Sequence, residues 1–416
     1  MLHRLDPRKN WDFFFFLSYS VFMVASLLCT TFYYRYIMGP VLTYTQIVLS
    51  LLLLVHELWN RKRYRQNWKG LAVIGVLSII AWIRGFSPQQ HLITMMFLYA
   101  YCARNISFEK IIRTTLYISM AVVAVAIFSG YTGIIDNVVI AKGDRVREYM
   151  GFRYALFLPG ILLNMTALWI YLRRKTVPVD EAILWLLANW IVYLKTDSRI
   201  SFALAVVLIL AALFMRFLPK ITEKIQPIWG IMSSAFLLFG VGSVVFTCIY
   251  DGSIPWMRKL NSMLETRLSL GKNSLSRDGF YLFGQHIDWV GNGLDAFGNV
   301  TKGSYTYVDC LYIRILQRYG LVFLLLLAVL ATWGMIKLWK KKQYHILLIL
   351  ASVAAHCVLD DLSFSLHYNT FWLALAVVLM NPSLLEDKKS PVPALSDPEP
   401  EPPDDEPLET VDVEEI

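Results

Sequence analysis

The chain alternates apolar runs with short polar connections, and many of the runs approach the length a bilayer demands, roughly 20 residues. Twelve helical spans are expected, near residues 12–34, 41–58, 70–84, 88–104, 112–130, 153–172, 181–196, 200–217, 228–250, 319–338, 344–360 and 368–383. The third and fourth are short and fit a hairpin or a tilted pair. Most connections are brief; the exceptions are 131–152 and 251–318, the second standing just before the last three spans. No internal repeat of fixed period is visible and the halves do not mirror each other, which counts against transporters built from inverted repeats. The opening MLHRLDPRKN runs into apolar sequence without a small-residue cleavage site, so it is expected to lead into a first span rather than to be a removed signal peptide.

Composition agrees with this pattern. The 416 residues are 56% hydrophobic and 17% charged, against about 45–50% and 25% in a soluble domain. The expected fold is an all-α polytopic membrane protein of about twelve transmembrane helices, with one large loop before the last three. Charge then orients it. HRLDPRK (3–9), RKRYRQNWK (61–69), RNISFEKIIR (104–113), RRK (173–175) and KLWKKK (337–342) all fall on one side of the expected spans, and by the positive-inside rule that side is cytoplasmic, with both termini. Loops 131–152 and 251–318 are therefore expected to be extracytoplasmic.

The net charge of +8 conceals an asymmetry: Glu386–Ile416 holds twelve acidic residues and two basic ones, so the rest of the chain is far more basic than the total. Residues 1–383 are expected to form the transmembrane domain and 384–416 an acidic, Pro-rich, disordered cytoplasmic tail, either simply solvated or docking to a cytoplasmic partner. The five cysteines show no metal-ligand spacing; four lie in or beside apolar runs and only Cys310 is expected to be exposed. No cofactor, metal or nucleic-acid partner is expected.

The remaining question is why loops that break the inside-positive pattern carry so many cations. Arg145, Arg147 and Arg153 stand in GDRVREYMGFRYALFLPG, Arg199 in TDSRISF, and Arg267 in LETRLSLG, followed by Lys272 and Arg277. A guanidinium is a planar, permanently charged fork that matches phosphate oxygens. Ionisable groups near bilayer depth persist where they line a cavity or bind something; plain interfacial anchoring accounts equally well for Arg145 and Arg147. Candidate proton handlers are His286 and Asp288 in FGQHIDW, Asp309 in SYTYVDCLYIRILQRYG, and Asp360 and Asp361 in HCVLDDLSF. A base beside a sugar hydroxyl contributes about 10²–10⁴-fold, whereas a carboxylate among arginines also serves simply as their ion-pair partner. His56 and His356, alone in apolar helices, read as core histidines.

No phosphate-loop, H-E-x-x-H or G-x-S-x-G motif is present, and no cytoplasmic stretch is long enough for a nucleotide-sugar domain of about 100 residues. A glycosyltransferase built on this chain would take a lipid-linked donor from outside, its arginines neutralising a diphosphate leaving group without a metal.

RLSLGKNSLSRDGFYLFGQHIDWVGNG followed by YTYVDCLYIRILQRYGLVFLLL, with the TDSR turn and REYMGFRYALFLPG, resembles the O-antigen ligase/polymerase family, in particular the Wzy-type polysaccharide polymerases of Gram-positive bacteria. The similarity covers most of residues 1–383. It implies a polymerase of capsular or exopolysaccharide type on the outer face of the cell membrane. Such an enzyme transfers a growing glycan from undecaprenyl diphosphate to a lipid-linked repeat unit, alongside a flippase and a chain-length regulator. By this resemblance Arg199 and Arg267 match arginines near the lipid diphosphate, and Arg147 and Arg153 fall in the loop that engages substrate. Where ligase relatives carry His-Asn before a late span, this chain reads Asp309-Cys310, which leaves Asp309 or another base such as His286 for the proton. A ligase of the same fold and a transporter of lipid-linked sugars are the alternatives.

Overall fold

The computed structural model describes residues 12–62, 64, 67–142, 145–300 and 302–381. The opening basic segment and the acidic tail lie outside the described residues. A helix stands at each of the twelve expected segments. Among the described residues, Pro40–Trp59, Phe108–Tyr131, Arg199–Phe217 and Leu321–Lys340 are each long and apolar enough to cross a membrane. Gln226–Met232 and Ala235–Ile249 meet the same test only when taken together, as a pair bent by 52° that is either a broken span or a re-entrant loop, and Phe13–Leu28, Trp68–Ile83 and Tyr344–His356 are apolar but shorter.

The surfaces of these helices explain their placement. Along Pro40–Trp59 the inward stripe is Leu42, Gln46, Leu49, Leu53 and His56, recurring every three or four residues. The opposite side, Ile47, Val48, Leu51, Leu54 and Leu58, is just as apolar and points away from the protein. Arg199–Phe217 repeats the arrangement, with Ala205, Leu208, Ile209 and Ala212 inside and Val207, Leu210 and Phe214 outside. A helix apolar all round, on the surface of its own bundle, needs lipid rather than water against its outer face. The protein is an all-α membrane protein with one small exception.

That exception lies in the 131–152 connection. Val139–Lys142 and Arg145–Glu148 pair antiparallel, with Ile140 opposite Arg147 and Val139 opposite Glu148. Two strands of four residues carry too little period-2 pattern to stand out among long apolar runs. Just beyond them Gly151, at φ +86, crosses the Phe108–Tyr131 helix so closely that a Cβ would lie 2.5 Å from the carbonyl oxygen of Ala126.

The 251–318 connection is partly helical: Pro255–Met263, Arg267–Asp278 and Leu311–Arg318 frame a long irregular stretch. Arg314 and Arg318, one turn apart on the last of these, clasp the indole of Trp289 at 5.4 and 4.9 Å. Arg318 also donates to the carbonyl of Ile287 at 3.0 Å, and Arg314 pairs with Asp361, which accepts from Tyr307 as well. Cys310 does not fit the expectation of exposure: it is buried and Cys248 is the exposed cysteine. The irregular stretch ends by entering the bundle, because the helix that Cys310 introduces is buried along nearly its whole length.

At the helix ends around residue 104, charge is handled by pairing. Arg104, counted above in a basic cluster, is 1% exposed. It grips Glu57 with both terminal nitrogens, at 2.8 and 2.7 Å, and stacks on Tyr101. Breaking a buried ion pair from one side strands the other charge, typically at about 3–5 kcal/mol. Glu57→Ala is therefore expected to lower the melting temperature of the detergent-solubilised protein sharply. A melting curve that did not move would show that Arg104 finds another partner.

Candidate functional site

A cavity of about 700 Å³ opens where several helices begin or end, within the roughly 300–1,000 Å³ typical of ligand sites. Five segments distant in sequence supply its charged wall, the fifth bringing Asp360.

The first two are the hairpin and the turn at 197–199. Asp197 closes the Val179–Thr196 helix in the left-handed conformation, φ 48, which aspartate tolerates better than most residues. The chain reverses there, and Arg199 starts the next helix. The Asp197 carboxylate takes the guanidinium of Arg145 at 3.0 Å and that of Arg199 at 3.2 Å. Arg147, on the same strand as Arg145, also lines the cavity, and its buried Nε has no hydrogen-bond partner among the described residues.

The third segment is strained. Glu265 and Thr266 both have positive φ, 48° and 69°, a region that costs non-glycine residues about 1–3 kcal/mol each. The kinked turn brings Arg267 to the cavity as the first residue of the Arg267–Asp278 helix. Its Nε donates to the carbonyl of Leu359 at 3.2 Å and its Nη1 to the carbonyl of Glu265 at 2.8 Å. Its Nη2 faces Asp309 Oδ2 at 3.7 Å, with the two side chains 13% and 15% exposed. That spacing is a charge contact, too long for a direct hydrogen bond.

Asp309 comes from the fourth segment, and it accepts a hydrogen bond from the Tyr305 hydroxyl at 2.8 Å. Burial raises its pKa from 3.8 to about 6; the Arg267 charge opposes the rise and Asp361 adds to it. Burial and the neighbouring carboxylate also push the Tyr305 phenol upward, so that it remains a donor. Asp309 is thus a carboxyl that changes protonation close to neutral pH, fixed by one hydroxyl and faced by one guanidinium.

The structure gathers Arg145, Arg147, Arg199, Arg267, Asp309 and Asp360 on one cavity and places Arg153, Lys272, Arg277 and His286 elsewhere. Arg153 is spent on packing: it donates to the carbonyl of Cys29 at 2.6 Å and of Leu294 at 3.0 Å, and lies over the Tyr34 ring. Lys272 donates to the carbonyl of Cys248, Arg277 pairs with its neighbour Asp278, and His286 pairs with Asp288 while resting on Phe86. None of these four lines the cavity. The cavity wall also includes Asp197, Glu265, Tyr305 and His356. The sequence marks Arg145 and Asp360, and His356 reads there as a core histidine; for Asp197 and Glu265 the only signal is their adjacency to Arg199 and Arg267. Among the described residues no three His, Cys, Asp or Glu side chains are grouped to hold a metal ion.

Because the folded pKa of Asp309 lies above its unfolded value, the folded state binds this proton more tightly. Its contribution to stability is complete below pH 3.8 and is lost as pH rises through about 6. Asp309→Asn is expected to remove that loss, making the protein more stable above neutral pH, on the order of 2–3 kcal/mol. Thermal melts of both proteins between pH 4 and 8 check this: parallel curves would mean that Asp309 ionises freely. No protein-family model, characterised protein or solved structure matches this chain.

Proposed function

We propose that the protein is a polysaccharide polymerase that joins undecaprenyl-diphosphate-linked oligosaccharides on the outer face of the cell membrane. In this reading the chain crosses twelve times, both termini are cytoplasmic, and the cavity opens outward. The observation that supports it is one cavity combining a buried arginine nitrogen unpartnered among the described residues, further guanidiniums and a carboxyl whose pKa burial raises to about 6. The amino ends of two helices, Arg199–Phe217 and Arg267–Asp278, also reach this cavity, and helix amino ends favour anions.

The roles in this reading are as follows. Arg147, Arg199 and Arg267 hold the diphosphate of the donor, which competes with Asp197 and Glu265 for them. Asp309, in its ionised form, takes the proton of an acceptor-sugar hydroxyl. The oxygen so released bonds to the anomeric carbon of the donor glycan from the face opposite the diphosphate. The bond from that carbon to the phosphate oxygen breaks, its electron pair leaving with undecaprenyl diphosphate. The anomeric configuration inverts, and neither a metal nor a cofactor is required. The arginines stabilise charge that grows on the leaving group during this step. A flippase that delivers repeat units and a chain-length regulator are the natural partners.

Deleting the gene in its host and resolving lipid-linked and surface glycans by gel and mass spectrometry tests the reading. Single repeat units left on the lipid, with long chains gone, are the expected result. Long chains stranded on the lipid would identify a ligase instead, and units held on the inner leaflet a transporter. In the purified protein Arg267→Ala should lower the rate by about 10²–10³-fold, with Arg267→Lys recovering part, since lysine keeps the charge and loses the fork. Activity should rise with pH through about 6 as Asp309 ionises, and Asp309→Asn should lose about 10²–10⁴-fold.

A further inference from the structure

His356 ends the Tyr344–His356 helix and is a wall of two spaces at once. In front of it is the large cavity. Behind it is a second void of about 20 Å³, also lined by Asn164, Ser352, Ser363, Tyr368 and Asn369. A void admits one water when it offers roughly 10–15 Å³ or more and two to four polar partners. This one meets the size requirement, and its lining supplies the chemistry. The hydroxyl of Tyr368 and the amide nitrogen of Asn369 are buried without a hydrogen-bond partner among the described residues, on side chains 8% and 1% exposed. Asn369 cannot easily turn away, because its Oδ1 accepts from the backbone nitrogen of Phe371 at 3.1 Å. Asn164 is fully engaged, donating to the carbonyl of His367 and to Thr370. Two unpaired polar groups on one water-sized void are what an internal water normally satisfies.

The imidazole is held from the same side. Its Nδ1 shares a hydrogen bond of 3.0 Å with Ser363 Oγ, and the carbonyl of Ser363 is in turn fixed by the Trp372 indole nitrogen at 2.7 Å. This bond fixes the ring's orientation but, since a serine hydroxyl both donates and accepts, it suits either tautomer; Nε2 is the ring's other polar atom.

We propose that the small void holds one ordered water, bound by Tyr368 and Asn369. Together with Ser363 this water braces His356 in a single orientation and tautomer. His356 then serves as a fixed hydrogen-bonding group of the large cavity, directed at a hydroxyl of the ligand. The water and the ring's orientation are independent of what the large cavity binds; the ligand hydroxyl rests on the polymerase reading. His356, set aside as a core histidine on sequence grounds, thereby gains a positioning role toward substrate.

The test uses the full chain in lipid nanodiscs. With ¹⁵N-labelled histidine, the ring of His356, assigned by its loss in His356→Gln, should show one neutral tautomer, and Tyr368→Phe should mix the two. Tyr368→Phe should also lower the melting temperature by removing a partner of the water. A rise in melting temperature would mean that the void is dry and the hydroxyl merely unpaired, and a mixture of tautomers in the unaltered protein would equally overturn the brace. In the polymerisation assay His356→Phe, which keeps the bulk, should reduce kcat on the order of 10²-fold, and His356→Gln should restore part of it. Rates equal to the unaltered protein in both variants would remove His356 from contact with the ligand. If the unaltered chain does not polymerise, the polymerase reading fails, while the tautomer and melting results still decide the water.

Discussion

Charge has to be partnered in a bundle whose outer surface is apolar, and the internal architecture follows from how each arginine meets that demand. Arg104 closes on Glu57 at one cluster of helix ends. Arg153 gives its whole fork to backbone carbonyls of segments more than a hundred residues away, fastening the start of one helix to the end of another. Arg314 and Arg318 hold the irregular chain before them through Trp289 and Asp361. An ion or amide with no such partner would cost several kcal/mol in these surroundings. These contacts therefore set where loops can lie, and the loops in turn shape the cavity.

At the cavity that demand is met incompletely, as it is at the buried Nε of Arg104 and of Arg318 among the described residues. Arg147 keeps a buried nitrogen with no partner among the described residues, Asp309 is buried beyond what Arg267 offsets, and Glu265 and Thr266 hold unfavourable backbone angles. Natural proteins rarely leave such features in place unless a ligand relieves them or the chemistry needs them. Stability and activity are then expected to pull apart at the same residue. An amide at position 309 removes a buried charge and also the carboxylate that the proposed reaction uses to accept a proton from a hydroxyl.

The arrangement of anions is equally informative. Asp197 is shared by Arg145 and Arg199, and Glu265 offers both its carboxylate and its carbonyl to the Arg267 guanidinium. A single carboxylate between two guanidiniums resembles in charge what a phosphate would place there. The proposed diphosphate would exchange with contacts already formed instead of entering an empty field of positive charge. This keeps the cations ordered before substrate arrives, which lowers the cost of organising them during the reaction.

Much of the fold was legible in the sequence because the forces behind it are local. An apolar run of sufficient length must form a helix in lipid to satisfy its own backbone, so a helix stands at each expected segment, including Gln226–Met232 and Ala235–Ile249, whose bend no run of residues announces. The four-residue strands at 139–142 and 145–148 were too short to register, and Cys310 looked exposed because the burial of Leu311–Arg318 arises from neighbours far along the chain. The site was legible only as chemistry. Arginines and carboxylates in loops marked themselves as costly, but their position did not show which would meet. Arg153, Lys272, Arg277 and His286 are cationic or titratable like those on the cavity, and what separates them is whether a carbonyl, a neighbouring carboxylate or a ring lay within reach. That depends on long-range packing, which brings residue 147 beside 199, 267 and 309 and places His356 between two cavities. Sequence determined which groups would need partners, and tertiary structure decided which of them found one.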